Sequence, residues 1–162
     1  MKHPLALALA LALAATTTSC AHSVQAESAV TTQNENPLFV ESTLALKYPH
    51  FDQIKDTHFA PAIERGMAEQ IAEVNAIADA KAKPTFDNTI VPMEKSGRLL
   101  SRSLSVLFNL LSADTNPARE KLQAEFAPKL SAHRDAIFLN PKLYARVKAL
   151  YDARTTLGLD AE

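Results

Sequence analysis

An all-α fold is what this chain's composition and periodicity predict, and three observations carry the reading. Glycine occupies only 3 of 162 positions, too few for turn-rich sheets or for glycine-rich phosphate loops. The apolar residues are mainly Ala and Leu, both strong helix formers. Beyond residue 54 the apolar side chains recur in steps of three and four, which lays one face of a helix against a core. The expected architecture is four helices joined by short connections, as antiparallel helical hairpins or an up-and-down bundle.

The first helix is expected to begin near Asp56 or Thr57, either of which can cap it, with Pro61 still in the opening turn where its missing N–H does no harm. Its apolar face runs Phe59, Ile63, Met67, Ile71, Val74 and Ile77. Gly66 weakens helix propensity by about 1 kcal/mol relative to Ala and is a candidate for a close helix crossing. Glu69 and Glu73 stand one turn apart and are expected to face water. The second helix is expected within residues 86–113, capped by Thr89 or starting earlier near Phe86, with the stripe Ile90, Met93, Gly97, Leu100, Leu104, Leu107 and Leu111. Phe108 and Leu110 widen that stripe, so this helix reads as the central one. Glu94 precedes Arg98 by four residues, a favourable helical ion-pair spacing.

Asn116-Pro117 and Asn140-Pro141 each pair a capping side chain with a proline at the first helical position and predict the starts of the third and fourth helices. The third carries Leu122, Phe126, Leu130 and Ile137, and Pro128 inside it is expected to bend or divide it. The fourth uses Leu143, Val147, Leu150 and Tyr151, with Gly158 as a stop.

The region ahead of these helices divides in two. Residues 1–26 read as an export signal: Lys2 and His3 precede an apolar run over residues 5–15, shorter than the roughly 20 residues a membrane-spanning helix needs. Two exits are visible. Val24-Gln25-Ala26 offers small residues for cleavage before Glu27, while Thr17-Thr18-Ser19-Cys20 resembles a lipoprotein box that would leave Cys20 lipidated and the chain anchored to a membrane. Either route places the mature chain in a bacterial periplasm, soluble or lipid-anchored. Cys20 is the only cysteine, so no disulfide is expected. Residues 27–53 read as a polar linker and extended arm, in which Leu38-Phe39-Val40 and Leu44-Ala45-Leu46 lie across a helical surface, and residues 54–162 as the helical domain.

Seventeen basic and 18 acidic side chains give a net charge of -1, with no basic stripe, so nucleic acid is not an expected partner. A zinc hydrolase needs three protein ligands and an open position for water. The sequence contains no HExxH and no cysteine pair, and nothing in the spacing of His50, His58 and His133 brings them together with a carboxylate. His133 follows Leu130 by three and is expected to touch the buried seam. Ser101, Ser103 and Ser105 lack a nucleophile elbow. No feature joins Glu64 to Asp135 as an acid–base pair. Arg98 and Arg102 fit either a groove edge or a solvated face, and Tyr144 and Tyr151, seven apart, are expected to pack. No catalytic, cofactor-binding or metal-binding residue is assigned.

Several collinear blocks carry a family resemblance. Residues 57–64 (Thr57-His58-Phe59-Ala60-Pro61-Ala62-Ile63-Glu64), 84–90 (Pro84-Thr85-Phe86-Asp87-Asn88-Thr89-Ile90) and 108–116 (Phe108-Asn109-Leu110-Leu111-Ser112-Ala113-Asp114-Thr115-Asn116) resemble the N-terminal region of the M3, thimet oligopeptidase-like, metallopeptidases, and in particular their bacterial peptidyl-dipeptidase branch. Residues 132–141, 148–152 and 157–160 continue the likeness in order, so it spans nearly all of residues 36–162. The resemblance implies a largely helical, two-lobed peptidase that cleaves short peptides with a zinc held by HExxH and a downstream Glu. None of those elements maps onto a residue here. The resemblance therefore implies an N-terminal lobe fragment, truncated and inactive alone, with zinc only in full-length relatives. Two other readings stay open: one half of a split enzyme that joins a separately encoded catalytic portion, and an independent helical module that binds peptides or proteins. The fragment reading predicts exposed apolar surface where the missing lobe packs.

Overall fold

The computed structural model describes residues 36–158, and among them there are five α-helices and no strand. They are α1 (Phe59–Ala78), α2 (Val91–Lys95), α3 (Arg98–Ala113), α4 (Pro117–Phe138) and α5 (Pro141–Asp152). Short 3-10 turns precede α1 and follow α5, and a π-helical turn, Phe86–Ile90, leads into α2. The all-α expectation holds. The calls on residues 1–35, including the export signal and Cys20, lie outside the described residues.

α1 is the centre of the molecule, in touch with α2, α3, α4 and α5. Its apolar stripe follows the expected spacing: Phe59, Ile63, Val74 and Ile77 are buried, with Met67 and Ile71 partly so. Two buried clusters form along it. At its start, Phe59, Ala62 and Ile63 pack with Leu100, Val106 and Leu107 of α3 and Phe126 of α4. At its end, Val74, Ile77 and Ala78 pack with Ile137 of α4 and Leu143 of α5. α3 thus runs against α1, and α4 runs alongside it from one cluster to the other. Complete burial of Phe59 and Phe126 contributes about 1.5–3 kcal/mol each. Gly66 marks the α1–α3 crossing, where the α3 backbone at Leu100 fills the space a side chain would take.

Leu38 closes the first cluster from outside the helices. It is held there by polar contacts at its backbone. Asn36 Oδ1 accepts from the Leu38 N–H at 3.0 Å, the Asn36 amide donates to the His58 carbonyl at 2.6 Å, and Arg102 donates to the carbonyls of Leu38 and Phe39 at 2.8–3.2 Å. Leu46, by contrast, is fully exposed in a left-handed turn, so the second apolar piece of the arm does not lie on the helices.

Several further sequence expectations are revised. The second helix is not continuous: Gly97 adopts φ +70° and separates α2 from α3. Glycine enters this left-handed region without steric penalty, and the break is fixed by the Glu73 carboxylate, which accepts the Gly97 N–H at 2.8 Å. Glu73 is exposed, as expected, and is engaged as well. The break also separates Glu94 from Arg98, and no ion pair joins them among the described residues. Of the two expected starts, the earlier one near Phe86 is found: its cap is Thr85, whose Oγ1 accepts from the Asn88 N–H while Asn88 Oδ1 accepts from the Thr85 N–H. Thr89 is buried instead. α4 runs through Pro128 without division, with Pro128 on the exposed face, where water can reach the carbonyl it leaves unpaired. Finally, Phe108, Tyr144 and Tyr151 are exposed, so neither tyrosine packs into the core and α3 is not the most buried helix.

Both Asn-Pro starts are as expected. Asn116 Oδ1 accepts from the Arg119 N–H at 2.9 Å, and Asn140 Oδ1 from the N–H groups of Lys142 and Leu143 at 3.0 and 3.1 Å.

Candidate functional site

The titratable side chains are distributed, each into a local structural task. His58 Nδ1 accepts the Lys55 N–H at 3.1 Å. His133 lies on the buried seam with Nε2 2.8 Å from Gln70 Oε1, and burial lowers its pKa below the ordinary 6.5. Glu64 lies 3.7 Å from Lys129, while Asp135 lines a separate groove at the α4–α5 corner. Asp56 binds Arg119 at 2.7 Å and Asn116 at 2.9 Å, which ties the entry of α1 to the start of α4. Partial burial pushes the Asp56 carboxyl up, but the hydrogen bonds from Asn116 and Arg119 and the guanidinium charge outweigh it and hold the group below the usual carboxylate range. Among the described residues, no group of three or more His, Cys, Asp or Glu side chains is placed to hold a metal ion. Ser103 sits wholly inside the core, its hydroxyl without a hydrogen-bond partner among the described residues.

A groove of about 720 Å³ lies between the second half of α1 and the π-turn with α2. Its walls are mainly apolar, from Ala76, Ile77, Ala80, Val91 and Pro92, with Glu73, Asp87 and Lys95 also lining it. Two devices set the groove's shape. On one side the Gln70 amide links His133 to Ser96, whose hydroxyl donates to the Met93 carbonyl at 2.8 Å, so α4, α1 and the α2–α3 break are joined. On the other, Arg146 of α5 is buried and donates to the carbonyls of Ala80 and Ala82 and to Asn88 Oδ1 and Thr89 Oγ1, at 2.8–3.1 Å. Among the described residues its charge has no carboxylate partner. Its two terminal nitrogens reach neutral oxygens of the loop that leaves α1 and of the π-turn, while Nε is buried without a partner, and the bonds that are made hold the π-turn that forms one wall.

No family's sequence profile matches the chain. Individual proteins do. The dipeptidyl carboxypeptidase of Escherichia coli strain K12 is 44% identical over 127 residues, 78% of this chain and 19% of that protein. The dipeptidyl carboxypeptidase of Salmonella typhimurium is 42% identical over the same length and shares. Over these 127 residues the chain is similar to the dipeptidyl carboxypeptidases. Oligopeptidase A of Salmonella typhimurium is a more distant relative, 26% identical over 117 residues, 72% of this chain and 17% of that protein. The chain spans about a fifth of the length of the curated relatives it matches.

The described side chains do not fit a zinc centre. What they build instead is a braced helical surface. Sequence reasoning missed Arg146 and the groove beside it. The available signal was an arginine at the apolar spacing of the fourth helix, three residues after Leu143 and four before Leu150. No described helix is long and apolar enough to cross a membrane.

Proposed function

We propose that this chain is the N-terminal helical lobe of an M3-type zinc oligopeptidase of the peptidyl-dipeptidase branch, without hydrolytic activity by itself. The observation that supports this most is the pairing of 44% identity to a dipeptidyl carboxypeptidase with the absence of any metal-holding side-chain group among the described residues. In this reading the helices limit access to a peptide-binding channel, and zinc chemistry belongs to residues supplied by the rest of the enzyme. Short peptides are the substrates of the assembled protein. The export signal at residues 1–26 directs the chain to the periplasm, with Cys20 as an alternative lipid anchor. Mass spectrometry of the mature chain distinguishes cleavage before Glu27 from acylation at Cys20.

The direct test is release of C-terminal dipeptides from short peptides by the purified chain, with added zinc and with a chelator. The expected result is no turnover above a protein-free control. Chelator-sensitive turnover by the chain alone overturns the proposal.

A further inference from the structure

The arm before α1 carries a feature that its own packing does not explain. Leu46 and Lys47 are consecutive non-glycine residues with φ of +55° and +58°. Left-handed backbone costs about 1–2 kcal/mol per L-residue, and such conformations persist where surrounding contacts over-determine them. Here the reverse is seen. The turn is closed by two backbone hydrogen bonds, Lys47 N–H to Leu44 O at 3.0 Å and Tyr48 N–H to Ala45 O at 3.1 Å, and the Leu46 side chain is 101% exposed. Val40, Leu44 and Tyr48 are exposed beside it in sequence. The arm is nonetheless anchored at both ends. Arg102 grips the Leu38 and Phe39 carbonyls, and Tyr48 meets Phe51 edge-on at 5.5 Å between ring centres. A strained turn that projects a leucine from a fixed base is pre-organised for a partner surface, because little freedom remains to be lost on docking.

We infer that Val40, Leu44, Leu46 and Tyr48 form the seat for the remaining four-fifths of the peptidase polypeptide, whether joined to this chain or separate from it. This rests on the lobe reading above. The relatives' length supplies the occupant: the chain spans 19% of the dipeptidyl carboxypeptidases. Charge disfavours a lipid surface as the occupant. The arm's Lys47 is within 3.5 Å of Glu41, so the exposed apolar residues are not accompanied by the net positive charge that draws such segments to anionic membranes.

The test uses the full 162-residue chain and E. coli dipeptidyl carboxypeptidase deleted for its matched segment, mixed and followed by light scattering and titration calorimetry. Complex formation is expected, and the double variant Val40→Asp with Leu46→Asp is expected to weaken it by at least about tenfold while leaving the chain's own melting midpoint within about 1 °C, since both side chains are exposed and neither serves as an anchor of the arm. Where the deleted enzyme is insoluble, a chimera with the matched segment replaced by this chain's takes its place. The same double variant then lowers the chimera's midpoint by at least about 3 °C. Binding or chimera stability indifferent to the substitutions overturns the seat but leaves the lobe reading standing. No binding together with a chimera that fails to fold overturns both. Capture of the chain by phosphatidylglycerol vesicles, lost in the double variant while the protein complex is unaffected, overturns the occupant in favour of lipid.

Discussion

Replacement of Gly66 by Ala sets two effects of known sign against each other. Alanine is the better helix former by about 1 kcal/mol, so in an exposed helix the change would stabilise. In α1 the new methyl group would lie 2.7 Å from the Leu100 nitrogen, 2.8 Å from its Cα and 3.0 Å from its Cβ. Favourable carbon contacts begin near 3.5 Å, so the two helices must separate by the better part of an ångström. The obstructing atoms are mostly backbone of α3 and cannot rotate aside. Separation loosens the cluster around the crossing, in which Ala62 and Ile63 meet Leu100 and Leu107. Overpacking of this kind costs about 1–3 kcal/mol, and the loosened contacts add to it. The net expectation is a loss of about 1–3 kcal/mol, or a fall of several degrees in the melting midpoint. Urea unfolding followed by far-ultraviolet circular dichroism measures it, with an unchanged denaturant slope showing that the same surface is exposed. A Gly66→Ala protein as stable as the parent, or more so, would refute the close crossing as the reason glycine stands there.

Three further outcomes are expected. Arg146→Met removes the donors for four loop oxygens and should destabilise by about 2–3 kcal/mol, with faster amide exchange concentrated in residues 80–89; uniform exchange with stability within about 0.5 kcal/mol of the parent contradicts the bracing role. Gly97→Ala should cost about 1–3 kcal/mol, because a side chain is strained at φ +70° and would meet the Gln70 amide at 2.4–2.8 Å; chemical denaturation with no shift in midpoint argues against it. His133 has a folded pKa below its unfolded value of 6.5, so the unfolded chain binds the proton first as pH falls. The stability it supports is complete above pH 6.5 and is lost as pH drops through the folded value, a slope that His133→Gln should flatten; a parent and variant with parallel pH profiles between pH 7 and 5 would count against this, with the Asp56 contribution, lost only at lower pH, common to both.

The helices whose signals are local were legible in the sequence. Asn116-Pro117 and Asn140-Pro141 act within a single turn, and the structure shows each asparagine accepting the expected N–H groups. The α1 stripe was legible because its spacing and its burial report the same face. The break at Gly97 was hidden by the opposite circumstance. Gly97 falls in step with Met93 and Leu100, and only a carboxylate from a different helix, Glu73, makes the turn there definite. Arg146 was hidden for a similar reason: its acceptors lie 57–66 residues away in a loop, and an arginine on an apolar stripe gives no hint of which carbonyls it will find. Pro128 removes one backbone hydrogen bond and crowds the carbonyl four residues back, yet the helix continues past it, with the proline facing solvent. As to function, the family likeness was legible from collinear blocks, whereas the groove beside α2 depends on contacts that periodicity does not encode.

The plugging of the first cluster by Leu38 has a practical corollary for trimming the polypeptide. Expression clones that open at Phe59, where regular helix begins, would leave a hole over Phe59 and Phe126 and strand the Arg102 guanidinium without its carbonyl acceptors. The shortest version able to keep its interior dry opens no later than Asn36, more than twenty positions ahead of the first α-helix.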